Sequence, residues 1–446
     1  MPTRTNEQVP PPRVHLVSLG CAKNLVDSER LLGRLAAAGA LVGAPADEAD
    51  IIIVNTCGFI EEAKDESIQT ILELARFKRQ GLCRELLVIG CLSQRYAPIL
   101  REKLTEADAF FGLGQDDAIL AACGLRPSAG RDAGRLMLTP RHTTYIRIAD
   151  GCDNRCAYCT IPIIRGPYRS REPGDILSET QNMVERGARE INLIAQDTTL
   201  YGYDLDRHAN LPDLIRRIAA IRKVKWIRLL YTHPAHFSDE LIDVYATTPK
   251  LCPYVDLPLQ HFNDHILKRM GRKITKAGAL ELIDRIRQRI PGVVLRTTFL
   301  VGFPGETPGQ FHELRDGVRE LKFDHLGVFT YSREEGTRAA RMRKHVSERV
   351  KARRMRDLML TQQEIVFARN RALKGAAMQV VIEAPSAKDR WIARSKGQAP
   401  DVDTVTYVTG RNLRPGRFVN VTITGSQDYD LTARLARAAR SRKSTT

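Results

Sequence analysis

Short apolar runs alternate with helical patterns over the first 125 residues. The apolar runs and the helical patterns cover residues 14–19, 28–38, 51–54, 61–78 and 85–89 in turn. Branched apolar runs between helices are typical of parallel strands that are covered on both faces. The pattern predicts an amino-terminal parallel α/β domain over residues 13–125. Residues 1–12 are predicted to be a Pro-rich disordered lead, and 126–140 a linker, because they carry Pro, Gly and charges.

A second alternation of apolar runs and helical patterns begins near Thr144. Its strand candidates are residues 145–149, 190–195, 226–231, 254–257, 293–300 and 325–331. Six alternations over this length favour a full or partial (β/α) barrel, with an open doubly wound sheet as the alternative. We place this domain at residues 138–372.

The carboxyl-terminal texture is different, with short strand patterns separated by turn residues. These patterns cover residues 379–382, 391–393, 405–408 and 418–423. The spacing predicts a small five-stranded β-barrel of OB type over residues 374–440, a shape often used to hold nucleic acid. A merely structural domain is the alternative.

The chain is strongly basic. Lys and Arg number 69 against 52 Asp and Glu, which gives a net charge of +17. A surplus of this size favours a polyanionic partner such as RNA or a ribonucleoprotein, and solubility alone is the plainer explanation. Many of the cations fall in a helical pattern at 338–372, which is either a solvated face or a contact for RNA or the ribosome.

Nine cysteines are present, and the compartment of the protein decides how they are interpreted. No apolar run approaches the roughly 18 residues of a membrane-spanning helix. The amino terminus has no apolar region of the kind that a secretory signal needs. We therefore expect a cytoplasmic protein without a membrane anchor, where clustered cysteines are metal ligands or catalytic thiols rather than disulfides.

Cys152, Cys156 and Cys159 form the pattern C-x3-C-x2-C directly after the first strand of the second series. Soft thiolate ligands select iron–sulfur clusters or zinc. Three thiolates leave one iron of a four-iron cube open for chemistry. The alternative is a zinc site that a distant histidine completes, although only His142 lies near this loop in sequence.

Cys21, Cys57 and Cys91 share a local context despite their wide spacing. Each follows a predicted strand and precedes a helix. The carboxyl ends of parallel strands lie at one edge of a sheet, so the three thiols are predicted to converge. The alternative is three unrelated buried cysteines. The remaining three, Cys83, Cys123 and Cys252, lack this context and are predicted not to be ligands.

The C-x3-C-x2-C loop after a first barrel strand resembles the radical S-adenosylmethionine superfamily. The three dispersed cysteines resemble those of the methylthiotransferases within it. This resemblance implies two 4Fe–4S clusters and S-adenosylmethionine as cofactors. It also implies that the open iron of one cluster chelates S-adenosylmethionine, whose reductive cleavage gives a 5′-deoxyadenosyl radical. The second cluster then holds or supplies the sulfur that is inserted.

Other segments are similar to the methylthiotransferase branch that modifies an aspartate of a small-subunit ribosomal protein. They read NTCGFI at 55–60, AQDTT at 195–199, DLPLQH at 256–261 and RTTFLVGFPGE at 296–306. The other main branch modifies adenosine in tRNA. The carboxyl-terminal barrel looks like a TRAM domain, but Thr432 and Ala433 stand where an aromatic or aliphatic residue and Gly are expected.

The resemblance implies that a methylthio group is added to the β-carbon of the target aspartate. The implied partners are a small-subunit ribosomal protein or ribosomal particle, an RNA contact, a reductant and a sulfur donor. The alternative of another class is a non-catalytic iron–sulfur protein that binds RNA or acts as a sensor.

Four further residues are candidates for cofactor contacts. Tyr158 is placed to pack near the adenine, or simply within its loop. Gln196 and Asp197 follow a barrel strand on the face where such barrels carry their sites, and are candidates for contacts to S-adenosylmethionine or substrate. Gly302 allows a close backbone approach to the cofactor, or forms a plain turn. No general base is identified.

Overall fold

The computed structural model describes residues 10–126, 134–205 and 209–436. Most of the predicted Pro-rich lead, half of the predicted linker and residues 437–440 of the third predicted domain lie outside these ranges. The described chain divides into two units. One contains the chain up to Leu138 together with Gly151–Asp153 and Cys159–Pro167, and the other contains the rest.

The first unit is built around a five-stranded sheet with helices. Its strands are β1 (Arg13–Ser18), β2 (Leu41–Val42), β3 (Ile51–Thr56), β4 (Glu85–Gly90) and β5 (Ala109–Phe111). Its helices are α1 (Ala22–Ala37), α2 (Glu61–Arg79), α3 (Cys91–Lys103), α4 (Asp116–Ala122) and α5 (Ile161–Arg165). All neighbouring strands are parallel, in the order β2-β1-β3-β4-β5, which confirms the predicted parallel sheet.

Helix α1 begins at Ala22, earlier than the predicted start at residue 28. The first turns carry buried polar residues, Asn24 and Ser28, instead of an apolar stripe. Their side chains are hydrogen-bonded to the sheet, and the Ser28 hydroxyl donates to Ser18 Oγ at 2.8 Å. Hydrophobic periodicity therefore underestimates this helix, because its amino end is held by polar contacts.

The second unit contains an α/β barrel, which is called the core below. Its main strands are β6 (Thr143–Arg147), a short β7–β8 hairpin pair (Ala149–Asp150 and Arg169–Ser170), β9 (Glu190–Ile194), β10 (Trp226–Leu229), β11 (Tyr254–Asp256), β12 (Val294–Val301) and β13 (His325–Thr330). Its helices are α6 (Pro173–Glu185), α7 (Leu211–Ala220), α8 (Asp239–Thr247), α9 (Asp264–Met270), α10 (Lys276–Arg289), α11 (Pro308–Leu321) and α12 (Glu348–Ala372).

The six parallel core strands follow one another around a partial barrel. They pair as β6-β9-β10 and β11-β12-β13, and a parallel bridge from Ile227 to Leu251 links the two groups. All carboxyl ends therefore lie on one rim, which is where α/β barrels carry their chemistry. The prediction of a partial (β/α) barrel is confirmed.

The carboxyl-terminal domain is a closed five-stranded barrel. Its strands are β14 (Ala377–Ala387), β15 (Arg390–Ser395), β16 (Thr406–Thr409), β17 (Phe418–Gln427) and β18 (Asp430–Leu435), in the order β14-β15-β16-β18-β17. The predicted small barrel is confirmed. Strand β18 includes the residues that depart from the expected TRAM pattern, and Leu431 and Ala433 pack in the barrel interior.

This small barrel packs against the amino ends of the core strands. Arg394 of β15 lies 2.5 Å from Glu190 at the start of β9, and Glu190 also bonds Arg228 of β10 at 3.1 Å. Farther around the core, the Tyr254 hydroxyl donates to Asp403 at 2.7 Å. The small barrel therefore lies at the end of the core opposite to the catalytic rim.

The basic segment at 338–372 is not only a solvated face. Helix α12 buries Lys351 and Arg354, and Arg354 pairs with Glu306 at 3.1 Å. No helix in the described ranges is long and apolar enough to cross a membrane.

Candidate metal centres

Cys21, Cys57 and Cys91 lie at the carboxyl ends of β1, β3 and β4, which are neighbours in the sheet. Gly20 has φ +86°, and a Cβ atom there would lie 3.2 Å from Cys57 Sγ. The position therefore demands glycine, both for the left-handed backbone and for the close approach. The structure brings the three cysteines together, as the strand–helix context predicts.

Burial raises the pKa of two of these thiols, Cys57 and Cys91. Removal from water raises the pKa of Cys91 to about 12, and the neighbouring thiols Cys21 and Cys57 act in the same direction. Burial likewise raises the pKa of Cys57. The three converging thiols form no disulfide, and Cys91 is buried, Cys57 is half-buried and Cys21 is exposed. Such a set suits a thiophilic cation, which deprotonates its ligands on binding. The residues thus fit an iron–sulfur cluster.

A polar network surrounds Cys91. The Asn24 side-chain amide donates to the carbonyls of Leu19 and Thr56 at 3.2 and 2.9 Å, which orients its oxygen toward Cys91. The Cys91 thiol donates to Asn24 Oδ1 at 3.3 Å. Nη2 of Arg165, at the end of α5, lies 3.7 Å from Cys91 Sγ.

Cys152 and Cys159 lie in the same unit as these residues. Gly151 has φ +75°, and a Cβ atom there would lie 1.9 Å from the carbonyl oxygen of Pro167. The N–H of Cys152 donates to the carbonyl of Gly166 at 3.1 Å. The backbone at Cys152 is therefore fixed against the segment that follows Cys159.

Cys156 lies in the second unit beside a buried arginine. Arg272 Nη1 is 3.6 Å from Cys156 Sγ, while Nη2 donates to the carbonyl of Pro258 at 2.6 Å. The next residue, Ala157, donates its N–H to Met270 and accepts from Ala339. Sequence reasoning missed Arg272, because it lies more than a hundred residues from the cysteine that it contacts.

Asp197 is the centre of a buried hydrogen-bonded cluster at the catalytic rim. Its Oδ2 accepts from the Asn154 amide at 2.7 Å and lies 2.9 Å from His236 Nδ1. Its Oδ1 accepts from the N–H and hydroxyl of Thr199. Burial raises the pKa of Asp197, but the bond to His236 and the other partners outweigh it, so the net shift is downward.

The same cluster includes His233. Burial is the main cause that lowers the pKa of His233 to about 2, so the ring is neutral, and its Nδ1 accepts from the N–H of Ala235. Asp197, His233 and His236 could in principle hold a metal ion. The carboxylate oxygens of Asp197 already accept three hydrogen bonds from Asn154 and Thr199, and one of them also lies 2.9 Å from His236 Nδ1. We therefore interpret the group as a positioning cluster.

Only His142 lies near the cysteine loop in sequence, but the fold brings His236 close to it as well. Asn154 belongs to that loop, and His236 is linked to it through one carboxylate oxygen. His233 and His236 could not be predicted from the sequence, because they follow β10 and come close to the cysteine loop only in the folded protein.

The other predicted contact residues lie at the same rim. Gln196 donates to Asp150 Oδ1 at 2.9 Å, and its side-chain oxygen is buried without a partner among the described residues. Tyr158 packs against a buried cluster that includes Phe303 and Tyr331. Their contacts to a cofactor stay predictions.

Gly302 lies in a tight turn after β12, with φ +73°. A Cβ atom there would lie 2.4 Å from Lys351 Cγ, so the glycine is required by the packing of α12. The N–H groups of Gly302 and Phe303 donate to Glu306, and burial raises the pKa of that carboxyl to about 7. The turn has a structural cause, and a cofactor contact at Gly302 stays a prediction.

The three cysteines that were predicted not to be ligands are buried. Cys83 and Cys123 pack in the two hydrophobic cores that flank the amino-terminal sheet, and Cys252 is fully buried in the second unit. The surroundings of Cys83 and Cys123 are those of apolar core residues, whereas Cys252 lies close enough to Arg228 for an electrostatic interaction.

Comparison with protein families matches three parts of the chain. Residues 146–317 match the radical SAM superfamily, and residues 375–436 match the TRAM domain. Residues 13–112 match an uncharacterized protein family, UPF0004. The fold and the cysteine loop therefore define a radical S-adenosylmethionine enzyme, whose cofactors are an iron–sulfur cluster and S-adenosylmethionine.

Relatives that match nearly the whole chain show which family of radical S-adenosylmethionine enzymes it belongs to. The ribosomal protein uS12 methylthiotransferase RimO of Pelotomaculum thermopropionicum is 47% identical over 94% of this chain and 98% of its own length. The protein of the same name from Geobacter sulfurreducens is 48% identical over 94% and 97%. The chain belongs to the family of ribosomal protein uS12 methylthiotransferases.

A solved structure supports the fold alone. The radical S-adenosylmethionine methyltransferase TsrM of Kitasatospora setae superposes with a TM-score of 0.51 at 17% identity. The superposition covers 72% of this chain and 75% of that protein.

Proposed function

We propose that this protein adds a methylthio group to the β-carbon of an aspartate in ribosomal protein uS12. The observation that carries the proposal is the presence of two cysteine sets in one chain. Cys152, Cys156 and Cys159 share a short loop after the first core strand, while Cys21, Cys57 and Cys91 lie at three adjacent strand ends.

We infer that each set holds one 4Fe–4S cluster through three thiolates, which leaves one iron of each cluster open. When bound, the cluster on the loop and one S-adenosylmethionine would supply the carbon radical for hydrogen removal. The other cluster would supply sulfur, and a second S-adenosylmethionine would supply the methyl group. The chemistry also requires a one-electron reductant and a sulfur donor.

The protein's own residues hold these groups in position. Arg272 donates toward the sulfur of Cys156 from a buried position, which stabilises a thiolate there. Asp197 fixes Asn154 within the loop and holds His236 at the same rim. The buried cluster around Phe303 and Tyr331 provides an apolar wall that keeps water away from Tyr158 and the loop.

We propose that the ribosomal particle docks at a basic cavity between the core and the small barrel. The cavity measures about 1140 Å³, and Arg141, Arg189, Arg414 and Arg417 contribute to its lining. None of these four has an ion-pair partner among the residues that the structure describes. The one carboxylate in the lining, Glu383, is engaged by His142 at 2.8 Å and by Arg394 at 2.6 Å.

The position of the cavity favours a large partner. It lies near the amino ends of the core strands, whereas Asp197 and Gln196 lie at their carboxyl ends. Core strands of three to eight residues separate the two ends by roughly 10–26 Å, at about 3.3 Å per residue. A ribosomal particle spans that distance, and a short peptide bound at the rim does not.

Mass spectrometry of ribosomal proteins and tRNA from a deletion strain tests the substrate. We expect one uS12 peptide to lose a methylthio mass increment on an aspartate, while tRNA modification is unchanged. Loss of the increment from a tRNA adenosine instead would assign the chain to the other substrate. Release of 5′-deoxyadenosine by the anaerobically reconstituted protein separates an enzyme from a non-catalytic sensor.

Two further assignments belong to this proposal. We propose domains at residues 13–125, 138–372 and 374–440 that hold the sulfur-supplying cluster, the radical chemistry and the docking barrel. A ribosomal partner places the protein in the cytoplasm.

A further inference from the structure

Arg165 is a buried cation at the amino-terminal cysteine set, although it comes from a distant part of the chain. It ends helix α5, six residues after Cys159, and its side chain is only 2% exposed. Its Nη2 lies 2.9 Å from Asn24 Oδ1, 2.9 Å from Asp27 Oδ2 and 3.7 Å from Cys91 Sγ. A guanidinium is always charged in proteins, so this is a fixed positive charge beside a cysteine sulfur.

The contacts of Arg165 extend to the other two cysteines through Asn24. The Asn24 side chain bonds Leu19 and Thr56, which lie two residues before Cys21 and directly before Cys57. Its oxygen accepts from both Arg165 and Cys91. One guanidinium is thus bound to the polar group that joins all three strand ends.

The net charge beside the amino-terminal cysteine set depends on an ion pair. Asp27 is the carboxylate that pairs with Arg165, and its side chain is 24% exposed. A cluster held by three thiolates is net negative, and each reduction makes it more so. Nearby positive charge and hydrogen bonds to the sulfurs therefore favour the reduced state and raise the reduction potential.

We propose that Arg165 is a positioning residue that raises the reduction potential of the iron–sulfur cluster held by Cys21, Cys57 and Cys91. The proposal rests on the proposed function, because it takes those cysteines as ligands. It adds a physical link between the two cysteine sets. The same short segment carries Cys159 of one set and the cation of the other, so a displacement of this segment alters the electrostatics at Cys91.

The test is a redox titration followed by electron paramagnetic resonance in full-length protein. Replacement of Cys152, Cys156 and Cys159 by Ala in the parent leaves only the amino-terminal cluster, with about four irons. In this background, Arg165→Gln is expected to shift the potential to more negative values, because it removes a positive charge. Asp27→Asn is expected to shift the potential in the opposite direction, because it removes a negative charge.

Two further variants separate charge from packing. Arg165→Lys keeps the charge and is expected to retain more of the parent potential than Arg165→Gln. Arg34→Gln is the control, because it also removes one positive charge. Arg34 lies on helix α1, as Asp27 does, but it pairs with Asp116 near the other end of that helix. At 1.5 Å per residue, Arg34 lies roughly 20 Å along the helix from Cys21, beyond the Debye length of about 8–10 Å, so the potential should not change.

The proposal predicts that Arg165→Gln and Asp27→Asn shift the reduction potential in opposite directions. A merely structural role for Arg165 predicts that both variants loosen the site in the same way. Shifts of the same sign, or no shift with about four irons still bound, would overturn the proposal. If Arg165→Gln binds no iron, the sign of the Asp27→Asn shift decides alone. A parent that binds no iron would instead count against the proposed second cluster itself.

Discussion

Arg272 Nη1 lies 3.6 Å from Cys156 Sγ, and this contact has a counterpart in the other cysteine set. There, Arg165 Nη2 lies 3.7 Å from Cys91 Sγ. Each set therefore has one buried guanidinium directed at one sulfur, and each arginine comes from a different part of the chain. Because positive charge stabilises a thiolate, the two contacts follow the same electrostatic rule in unrelated local structures.

If each cysteine set holds one cluster, the iron content of the protein and of its variants can be predicted. Full reconstitution should give about eight irons, as two cubes of four. Replacement of Cys21, Cys57 and Cys91 together by Ala should halve this number but preserve formation of 5′-deoxyadenosine, because the loop cysteines are intact. Iron analysis and chromatography of the reaction products measure both quantities.

Matched controls come from the buried cysteines of the cores. Single replacement of Cys83, Cys123 or Cys252 by Ser should leave the iron content unchanged, because Cys83 and Cys123 pack in the apolar cores of the first unit and Cys252 is fully buried in the second. Each should cost stability by about 1–3 kcal/mol, from burial of a hydroxyl group. A folded variant of this group that loses four irons, or a folded triple variant without any cleavage activity, would contradict the assignment.

The positions of the six candidate ligands could be predicted from the sequence, whereas their surroundings could not. Cys57 and Cys91 each end a recognisable apolar run, so strand–helix alternation places them at a sheet edge. Arg165, Arg272 and His236 carry no local signal, because their partners are brought close only by tertiary packing. The start of α1 was placed too late for a related reason, since buried polar residues replace the apolar stripe there.

Asp197→Asn is expected to lower cleavage of S-adenosylmethionine by about 10–100-fold, the usual effect of losing a partner that orients metal ligands. The carboxylate accepts from Asn154, Thr199 and, on one tautomer, His236, and an amide cannot satisfy all of these donors. Iron content should remain near the parent value. Asp316→Asn, at an exposed position on α11, is the control. Unchanged cleavage in Asp197→Asn would remove Asp197 from the positioning machinery.

Glu190 joins the core to the small barrel, and its titration predicts a pH-dependent stability. Burial raises the pKa of Glu190, but the charges and hydrogen bonds of Arg394 and Arg228 outweigh this and lower it to about 2. The folded-state pKa is below the unfolded value, so the stabilisation is complete above about pH 4.5. It is lost as the pH falls through about 2.

Glu190→Gln should lower the free energy of unfolding at neutral pH by about 3–5 kcal/mol, because two buried guanidinium groups lose a partner. The difference from the parent should shrink as the pH falls from about 4.5 toward 2. Denaturant titrations at several pH values measure it. Glu240→Gln, which breaks an exposed pair with Arg216, should cost less than about 1 kcal/mol. A difference that does not depend on pH would show that charge at Glu190 is not the cause.

The contact between Glu190 and Arg394 also means that deletion of the small barrel is a poor test of its docking role. Deletion of the barrel would expose Glu190, Arg228 and Tyr254, which are fully buried in the intact chain. The core would then lose stability together with any docking surface. Point variants at the rim of the basic cavity separate these effects, because Arg414 and Arg417 have no ion-pair partner within the described part of the chain.

Arg414→Gln combined with Arg417→Gln should therefore weaken binding to small ribosomal subunits. Each lost phosphate contact should reduce the slope of log affinity against log salt by about one, so the double variant should be less salt-dependent by about two. Uncoupled release of 5′-deoxyadenosine should be unchanged, since all six candidate cluster ligands precede residue 160. Arg216→Gln combined with Arg319→Gln removes the same charge from exposed positions elsewhere and is the control. Because a ribosomal particle is polyanionic, equal affinities and equal slopes for the cavity variant and the parent would place the docking surface elsewhere.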